Sequence, residues 1–298
     1  MKNVINYYYN LTPSEIHQVG SIYRFQIQND YYIFEPYTLP QDIQEIYRLS
    51  TQLLQVGVYT HQMILNKENQ LLTLVNNEPY LLMKYYPLVE EPVKIEDLVT
   101  FHVLTKNFAE SETSVVSWDH LWSEKIDYFE YQVNQFGKRF PKIRESFSFY
   151  VGVAETGISL AQQLPKIKKT VVHRRIRSDS NYFDLYNPLN LTFDVTIRDS
   201  CEFFKDRFLQ TDKVYEEIIN YFQNSYLTTD EYFSFFVRFF YPSFYFDRFE
   251  RIMRGEAETL LDLVLEKSDD YIVLLKKIYY FLNQYLQLPQ IEWLKKEP

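Results

Sequence analysis

A run of basic residues surrounds the histidine of TVVHRRIRSD, residues 170–179. Six of the twelve residues from Lys166 to Arg177 are lysine or arginine. Ammonium and guanidinium groups bind phosphate and carboxylate groups, so this run is a candidate anion-binding site. Its candidate residues are Lys168, Lys169, Arg174, Arg175 and Arg177. The simpler interpretation is that these side chains pair with some of the 40 acidic residues of the chain.

Nucleic-acid binding is a second use for the basic loop, residues 166–177. Tyr182 and Phe183 follow it and offer aromatic rings on which a base could stack. The net charge of −9 and the pI of about 5.2 oppose a general attraction to a polyanion. Because the basic run is also short, we do not expect a nucleic-acid partner.

The other reactive residue types show no catalytic or metal-binding spacing. Cys201 is the only cysteine, so no intrachain disulfide can form, and the five histidines lack HxxxH spacing. No G-x-S-x-G motif is present, and Ser178 and Ser180 lie near His173 by chance. Six glycines in 298 residues provide no glycine-rich phosphate loop. We therefore expect no metal and no cofactor.

The chain shows no sequence pattern of a membrane protein. The first ten residues are polar and tyrosine-rich, unlike a signal peptide. The most apolar window, residues 232–246, is shorter than the roughly 20 residues of a membrane helix and contains Arg238 and Pro242. We expect no membrane contact and a cytoplasmic location.

The first 86 residues read as strands around one helix. The runs 21–28 and 31–37 are rich in β-forming residues and predict a hairpin at Asn29-Asp30. Apolar residues recur at helical spacing in 41–56. HQMILN and QLLTLV flank KEN and predict a second hairpin, and residues 79–87 predict one more strand.

From Ile95 onward the chain reads as helical around an irregular stretch, residues 170–198. Predicted helices cover residues 95–108, 118–136, 143–161, 199–209, 212–225, 228–254 and 268–285. Thr228 and Glu231 form the capping box of one of them, and Ser268 is the predicted cap of the last. The change in composition predicts a hinge near Tyr85 to Val89 and two domains, residues 1–88 and 89–298.

Several motifs resemble the spore-coat kinase-like proteins of the CotS and YutH types, a branch of the aminoglycoside-phosphotransferase and choline-kinase superfamily. YYIFEPY resembles their strand YVLKPY, and VVHRRI stands where they carry His-Gly-Asp. FDVTIRDSCEFF looks like YDLPVRDLARFL, and LPQIEWLKK resembles the end of the YutH-type proteins. The resemblance implies an α+β, protein-kinase-like bilobal fold. Its small β-rich N-lobe holds one helix, and its larger C-lobe is mainly helical.

The resemblance also implies that the catalytic groups are degenerate. Glu35 stands where the family has its phosphate-binding lysine, and Arg175 where it has its catalytic aspartate. A carboxylate repels phosphate, and an arginine stays protonated and accepts no proton. The family's metal-binding asparagine and aspartate correspond to Ser180 and Asn187. No catalytic residue is therefore expected.

Two residues of the family's motifs are still present in this chain, His173 and Asp199. In kinase-like folds the aspartate that matches Asp199 accepts backbone N–H groups of the catalytic loop and fixes its shape. We expect Asp199 to accept N–H groups around His173 and Arg174, and His173 to pack inward as a structural residue.

These expectations give a catalytically inactive kinase-like protein, a pseudokinase. The resemblance implies that it acts in the bacterial spore coat or its assembly by binding other coat proteins. One alternative is a residual small-molecule phosphotransferase that uses Asp184 and Asn181, which lie beside the degenerate positions. The other is anion or nucleic-acid binding through the basic loop, residues 166–177.

Overall fold

The computed structural model describes residues 1–85, 90–108 and 117–295. The described chain divides into two compact units. Unit 1 is Met1–Val93 with Asp179–Thr192, and unit 2 is Lys94–Ser178 with Phe193–Pro298. The hinge predicted near Tyr85 to Val89 and the domain boundary predicted at residue 88 fall on residues 86–89, outside the described residues.

Unit 1 is built on one antiparallel sheet. Its strands are β1 (His17–Val19), β2 (Ile22–Ile27), β3 (Asp30–Pro36), β4 (Gln62–Ile64), β5 (Leu72–Val75) and β6 (Glu78–Tyr85). The strand order is β1-β2-β3-β6-β4, and β5 also pairs with β6. Strands β2 and β3 form the predicted hairpin, but it turns at Gln28-Asn29 rather than at Asn29-Asp30, because Asp30 already pairs with Ile27 as the first residue of β3.

The second predicted hairpin is wrong, because β4 and β5 do not pair with each other. Both pair with β6: β5 lies along its first half, Glu78 to Leu81, and β4 along its second half, Leu82 to Lys84. The hairpin is β5–β6, which turns at Asn76-Asn77. Both asparagines have positive φ angles, 52° and 67°, as a two-residue hairpin of the primed type requires.

The two faces of this sheet carry separate apolar clusters. One cluster contains Ile33, Leu81 and Met83 together with residues of helix α2 (Ile43–Gln55). The other contains Phe34 and Leu82 together with Ile5 of helix α1 (Lys2–Tyr9). Helix α2 was predicted. Helix α1 was not, because Ile5 is its one buried residue and it leaves almost no apolar period in the sequence.

Unit 2 is mainly helical. Its longer helices are α3 (Ile95–Thr105), α4 (Trp118–Phe136), α5 (Pro141–Ala161), α7 (Ile197–Gln210), α8 (Val214–Asn224), α9 (Thr229–Phe240), α10 (Ser243–Met253) and α12 (Ser268–Leu282). The shorter helices of the chain are α6 (Tyr182–Tyr186), α11 (Asp262–Glu266) and α13 (Glu292–Lys295). Strand β7 (Thr170–His173) pairs with β8 (Leu191–Asp194).

Two predicted features of these helices need correction. The capping box of Thr228 and Glu231 forms, but the helix that it opens ends at Phe240. Pro242 has no N–H and restricts Tyr241 to an extended backbone, so α10 begins as a separate helix. Ser268 does not cap α12, because its hydroxyl donates to the carbonyls of Val264 and Leu265 in the preceding turn.

Aromatic side chains fill much of the core of unit 2. Phe235, Phe239 and Tyr271 are fully buried there, and the ring centroid of Phe239 lies 5.6 Å from that of Phe235 and 6.1 Å from that of Tyr271. Helices α5 and α9 approach closely at Gly157, where an added Cβ would lie 3.0 Å from the Cβ of Phe240. In the described ranges, no helix combines the length and the apolar character that a membrane crossing needs.

Candidate functional site

Asp199 holds the end of strand β7 in unit 2. It lies in the first turn of α7, and both carboxylate oxygens accept the backbone N–H of His173, at 3.0 and 3.1 Å. The Nδ1 atom of His173 lies 2.6 Å from Oδ2 of the same carboxylate. The contact predicted between Asp199 and the backbone at His173 is confirmed, and both residues are buried.

A second histidine, which the sequence analysis missed, completes this cluster. His102 of α3 places Nε2 3.2 Å from Oδ2 of Asp199. Burial alone would raise the pKa of Asp199, but the charge of His173 and the contacts with both imidazoles hold that pKa well below its usual range. The sequence separation of 97 residues leaves no local signal for this contact, which only the packing of α3 against α7 creates.

Glu35, which the resemblance matches to the family's phosphate-binding lysine, lies on strand β3 of unit 1. It points to the same sheet face as Ile33, because the residues of a strand alternate between faces. Its Oε1 atom is buried and has no hydrogen-bond partner among the described residues. Burial raises the pKa of Glu35 to about 7, and the charge of Arg24 opposes this rise only in part.

Residues 182–190 pack on that same sheet face within unit 1. Phe183 and Leu189 contact the cluster that contains Ile33 and Leu81. The ring of Phe183 lies 4.7 Å from that of His61 and 5.4 Å from that of Tyr85. The guanidinium of Arg24 lies 5.5 Å from the Phe183 ring centroid. Side chains of residues 182–190 therefore cover the sheet face on which Glu35 lies.

The candidate metal-binding positions take part in local hydrogen bonds. Asn181 and Asp184 form the capping box of α6: each side chain accepts the backbone N–H of the other residue, at 3.3 and 3.2 Å. The side chain of Asn187 accepts the N–H of Leu189. Ser180 is buried, and its carbonyl accepts the N–H of Val93. Across the described ranges, no group of three or more histidine, cysteine, aspartate or glutamate residues could hold a metal ion.

The basic run around His173 separates into two parts. Arg174, Arg175 and Arg177 line a pocket of about 200 Å³ in unit 2, which we call the arginine pocket. Lys168 and Lys169 precede β7 and do not line it. Arg198, Arg238 and Arg248 of three different helices also line the pocket, and the sequence analysis missed them because they are far apart in the chain.

Arginines and carboxylates form a network of ion pairs in this pocket. Asp247 pairs with Arg175 at 3.1 Å and with Arg177 at 2.5 Å. Asp194 accepts hydrogen bonds from Arg198 and from the Trp118 indole, and Glu202 accepts one from Arg238. The pocket therefore brings guanidinium and carboxylate groups together in unit 2. Position 175 holds an arginine, which cannot accept a proton.

The family of the chain is shown by comparison with known proteins. Residues 2–285 match the family described as "Spore coat putative kinase YutH". No match was found among curated proteins.

Solved structures show the fold. An aminoglycoside phosphotransferase from Alicyclobacillus acidocaldarius subsp. acidocaldarius DSM 446 is 11% identical, with a TM-score of 0.61 over 95% of this chain and 94% of its own. AMP-bound spectinomycin phosphotransferase is 10% identical, with a TM-score of 0.55 over 93% of this chain and 96% of its own. At these identities the likeness shows the fold alone. The fold is the kinase-like architecture that the sequence predicted, with a small antiparallel sheet and a mostly helical remainder. The chain belongs to the spore coat YutH family.

Proposed function

We propose that this chain is a catalytically inactive member of its family. It acts in the spore coat or in the assembly of the coat, by binding other coat proteins. The observation that carries the proposal is the state of Glu35, at the position that the resemblance matches to the family's phosphate-binding lysine. It is a half-buried side chain with a buried Oε1 atom, unpartnered among the described residues, and a pKa raised to about 7.

The charge of Glu35 cannot replace that of a lysine at any pH. Below its pKa the carboxyl group is neutral and gives a phosphate no counter-charge, and above its pKa it is negative and repels phosphate. Phosphoryl transfer depends almost entirely on positioning and on cationic stabilisation of the transferred group. A site with this substitution lacks one of the main sources of that stabilisation.

Two further positions support the same conclusion. Arg175 occupies the position of the catalytic aspartate, where it pairs with Asp247 and cannot accept a substrate proton. Asn187 occupies the position of the metal-binding aspartate, where its amide oxygen is engaged by the N–H of Leu189. A neutral amide is also a weaker magnesium ligand than a carboxylate.

Residual phosphotransferase activity is the alternative function, and it is the reaction named for the solved structures of similar fold. It would require Asp184 and Asn181 to bind the metal ion. Both side chains cap α6 in unit 1. Metal binding would have to compete with those caps, which contribute about 1 kcal/mol each to helix stability.

The test of inactivity is a melting experiment with ATP and magnesium. A ligand present at a hundred times its dissociation constant stabilises a protein by about 2.7 kcal/mol, an easily measured shift. We expect ATP with magnesium to leave the melting temperature unchanged. A rise that requires magnesium and disappears in Asp184→Ala would overturn the proposal in favour of the phosphotransferase.

The coat role is tested separately in sporulating cells. A fluorescently tagged chain, expressed in a spore-forming bacterium, should concentrate at the coat and co-purify with coat proteins after cross-linking. Fluorescence that stays uniform in the cytoplasm throughout sporulation, with no cross-linked coat protein, contradicts this part of the proposal.

A further inference from the structure

The arginine pocket carries more positive than negative charge. Eight lysine and arginine side chains line it, against five carboxylates. The chain as a whole has the opposite balance, with 31 basic and 40 acidic residues. The pocket is therefore a local exception within an acidic protein, and its field favours negatively charged ligands.

The carboxylates of the pocket are already engaged. Asp247 is shared by Arg175 and Arg177, and Glu202 by Lys205 and Arg238. Asp194 binds Arg198 and Trp118. The remaining two also have partners, since Asp206 accepts from Ser178 and Gln210, and Glu250 pairs with Arg254. Each of the five carboxylates of the pocket therefore already has a hydrogen-bond or ion-pair partner.

Arg248 is a cation of the pocket that has no ion pair within the described residues. Its Nη1 donates a hydrogen bond to the carbonyl of Phe244, one turn earlier in α10. Partial burial lowers its pKa and the nearby charge of Arg177 lowers it further, although the charges of Asp206 and Asp247 oppose this fall. Lys125 on α4 also lines the pocket without an ion pair in the described part of the chain. An anion beside Arg248 would relieve both the desolvation and the repulsion.

Two further residues of the pocket have a buried donor without a hydrogen-bond partner among the described residues. The hydroxyl of Tyr241, a residue that is 5% exposed, has no hydrogen-bond partner among the described residues. The Nε–H of Arg198 is likewise buried and unpartnered there. Buried polar groups are usually satisfied, and leaving one unpaired costs about 1–3 kcal/mol. Both residues line the arginine pocket, and a ligand with acceptor oxygens would satisfy these donors once a shift of the neighbouring side chains exposes them, since neither atom is accessible to solvent.

We propose that the arginine pocket binds an oxyanion, either a multivalent carboxylate or a phosphate group, through Arg248, Tyr241 and Arg198. The volume of about 200 Å³ is below the roughly 300 Å³ at which pockets for drug-sized ligands begin. It accommodates a small free anion or one or two acidic side chains of a bound peptide. It does not accommodate a nucleotide or a stretch of nucleic acid.

This site goes beyond the proposed function, because it does not involve Glu35 or the candidate metal positions. A chain that retained phosphotransferase activity would still have the pocket, and an inactive chain has it too. A failure of the oxyanion site therefore leaves the conclusion about catalysis unchanged.

The test is calorimetric titration with inorganic phosphate, citrate and a short glutamate-rich peptide with blocked ends. We expect binding that weakens as salt is added. Arg248→Gln should weaken it about tenfold, the effect of losing one charge-assisted hydrogen bond. Tyr241→Phe should weaken it by roughly threefold, and melting curves check that both variants fold. Arg144→Gln removes an exposed positive charge outside the pocket and should have no effect.

The three ligands distinguish the source of the anion. Phosphate or citrate bound more tightly than the peptide identifies a free anion, and the reverse identifies acidic side chains of a partner protein. The proposal is overturned if none of the three binds, or if Arg248→Gln and Tyr241→Phe bind as the unmodified chain does. Binding of a single-stranded oligonucleotide without binding of the small anions or the peptide also overturns it.

Discussion

Two carboxyl groups of this chain, one half-buried and one fully buried, have pKa values shifted in opposite directions. In unit 1, Glu35 has a pKa raised to about 7, and its Oε1 atom is unpartnered among the described residues. In unit 2, Asp199 has a pKa held well below its usual range, although it is buried more deeply. The difference lies in the partners. Asp199 has a backbone N–H and two imidazoles, whereas Glu35 has only the charge of Arg24 nearby.

The comparison distinguishes a carboxyl group with a structural role, Asp199, from one at a position associated with catalysis, Glu35. The aspartate that shapes the loop after β7 retains its partners, and so the loop retains its support. Glu35, which the resemblance matches to the family's phosphate-binding lysine, has no counter-charge within hydrogen-bond distance of its Oε1 atom in the described structure. The proposed loss of catalysis would require no loss of fold, because the two groups belong to different units of the chain.

The largest effect is expected for Asp199→Ala. Removing one member of a buried charged cluster should lower the free energy of unfolding by about 4 kcal/mol, because the His173 N–H and the imidazoles lose their acceptor. Urea unfolding measures the change. Arg175→Ala is the control and should lose less than about 0.5 kcal/mol, because that side chain is 64% exposed. Equal losses for the two variants would contradict the structural role of Asp199.

The next effect is a gain of stability in Glu35→Gln. The carboxyl group has a pKa of 4.5 when unfolded and about 7 when folded. Between these values the folded state holds a proton that the unfolded state releases, so stability falls as the pH rises. The full difference is about 3 kcal/mol. Glu35→Gln should therefore be more stable than the unmodified chain by up to about 3 kcal/mol at pH 8.

The pH dependence distinguishes this explanation from a simple packing effect. Well below pH 4.5 the Glu35 carboxyl group is protonated in the folded and the unfolded state. The unmodified chain and Glu35→Gln should then have nearly equal stability. Glu45→Gln on the exposed side of α2 is the matched control and should change stability by less than about 0.5 kcal/mol. A gain that is the same at acidic and alkaline pH would show that ionisation of Glu35 is not its cause.

A smaller effect is expected for Phe183→Ala, which uncovers part of the sheet face on which Glu35 lies. The half-buried ring contacts His61 and Tyr85, so its removal should cost about 2 kcal/mol in urea unfolding. It should also flatten the pH dependence of stability, because water would reach that face. Tyr226→Ala, at a fully exposed position, should cost less than about 0.5 kcal/mol. An unchanged stability in Phe183→Ala would mean that residues 182–190 do not cover the face.

Local patterns in the sequence predicted much of the fold. The β2–β3 hairpin, helix α4 and the capping box of Thr228 and Glu231 all depend on residues close together in the chain. The errors arose where a distant partner decides the structure. Strands β4 and β5 both pair with β6, a choice that their own residues do not encode. Helix α1 depends on a single buried contact residue, Ile5.

The candidate site shows the same division. The contact between Asp199 and the backbone of His173 was predicted from the resemblance and is confirmed. His102 and the pocket residues Arg238 and Arg248 could not be predicted, because helices distant in sequence bring them there. The raised pKa of Glu35 was also missed, since an isolated glutamate on a strand usually faces solvent and only the packing of unit 1 buries it.

Titration of the two carboxyl groups by nuclear magnetic resonance tests the central claim most directly. With carbon-13-labelled glutamate and aspartate, and with Glu35→Gln and Asp199→Asn to assign the signals, both carboxyl resonances can be followed against pH. The account predicts that Glu35 titrates near pH 7 and that Asp199 stays ionised well below the range usual for aspartate. A Glu35 resonance that titrates near 4.5 would contradict it, because the phosphate-binding position would then hold an ordinary solvated carboxylate.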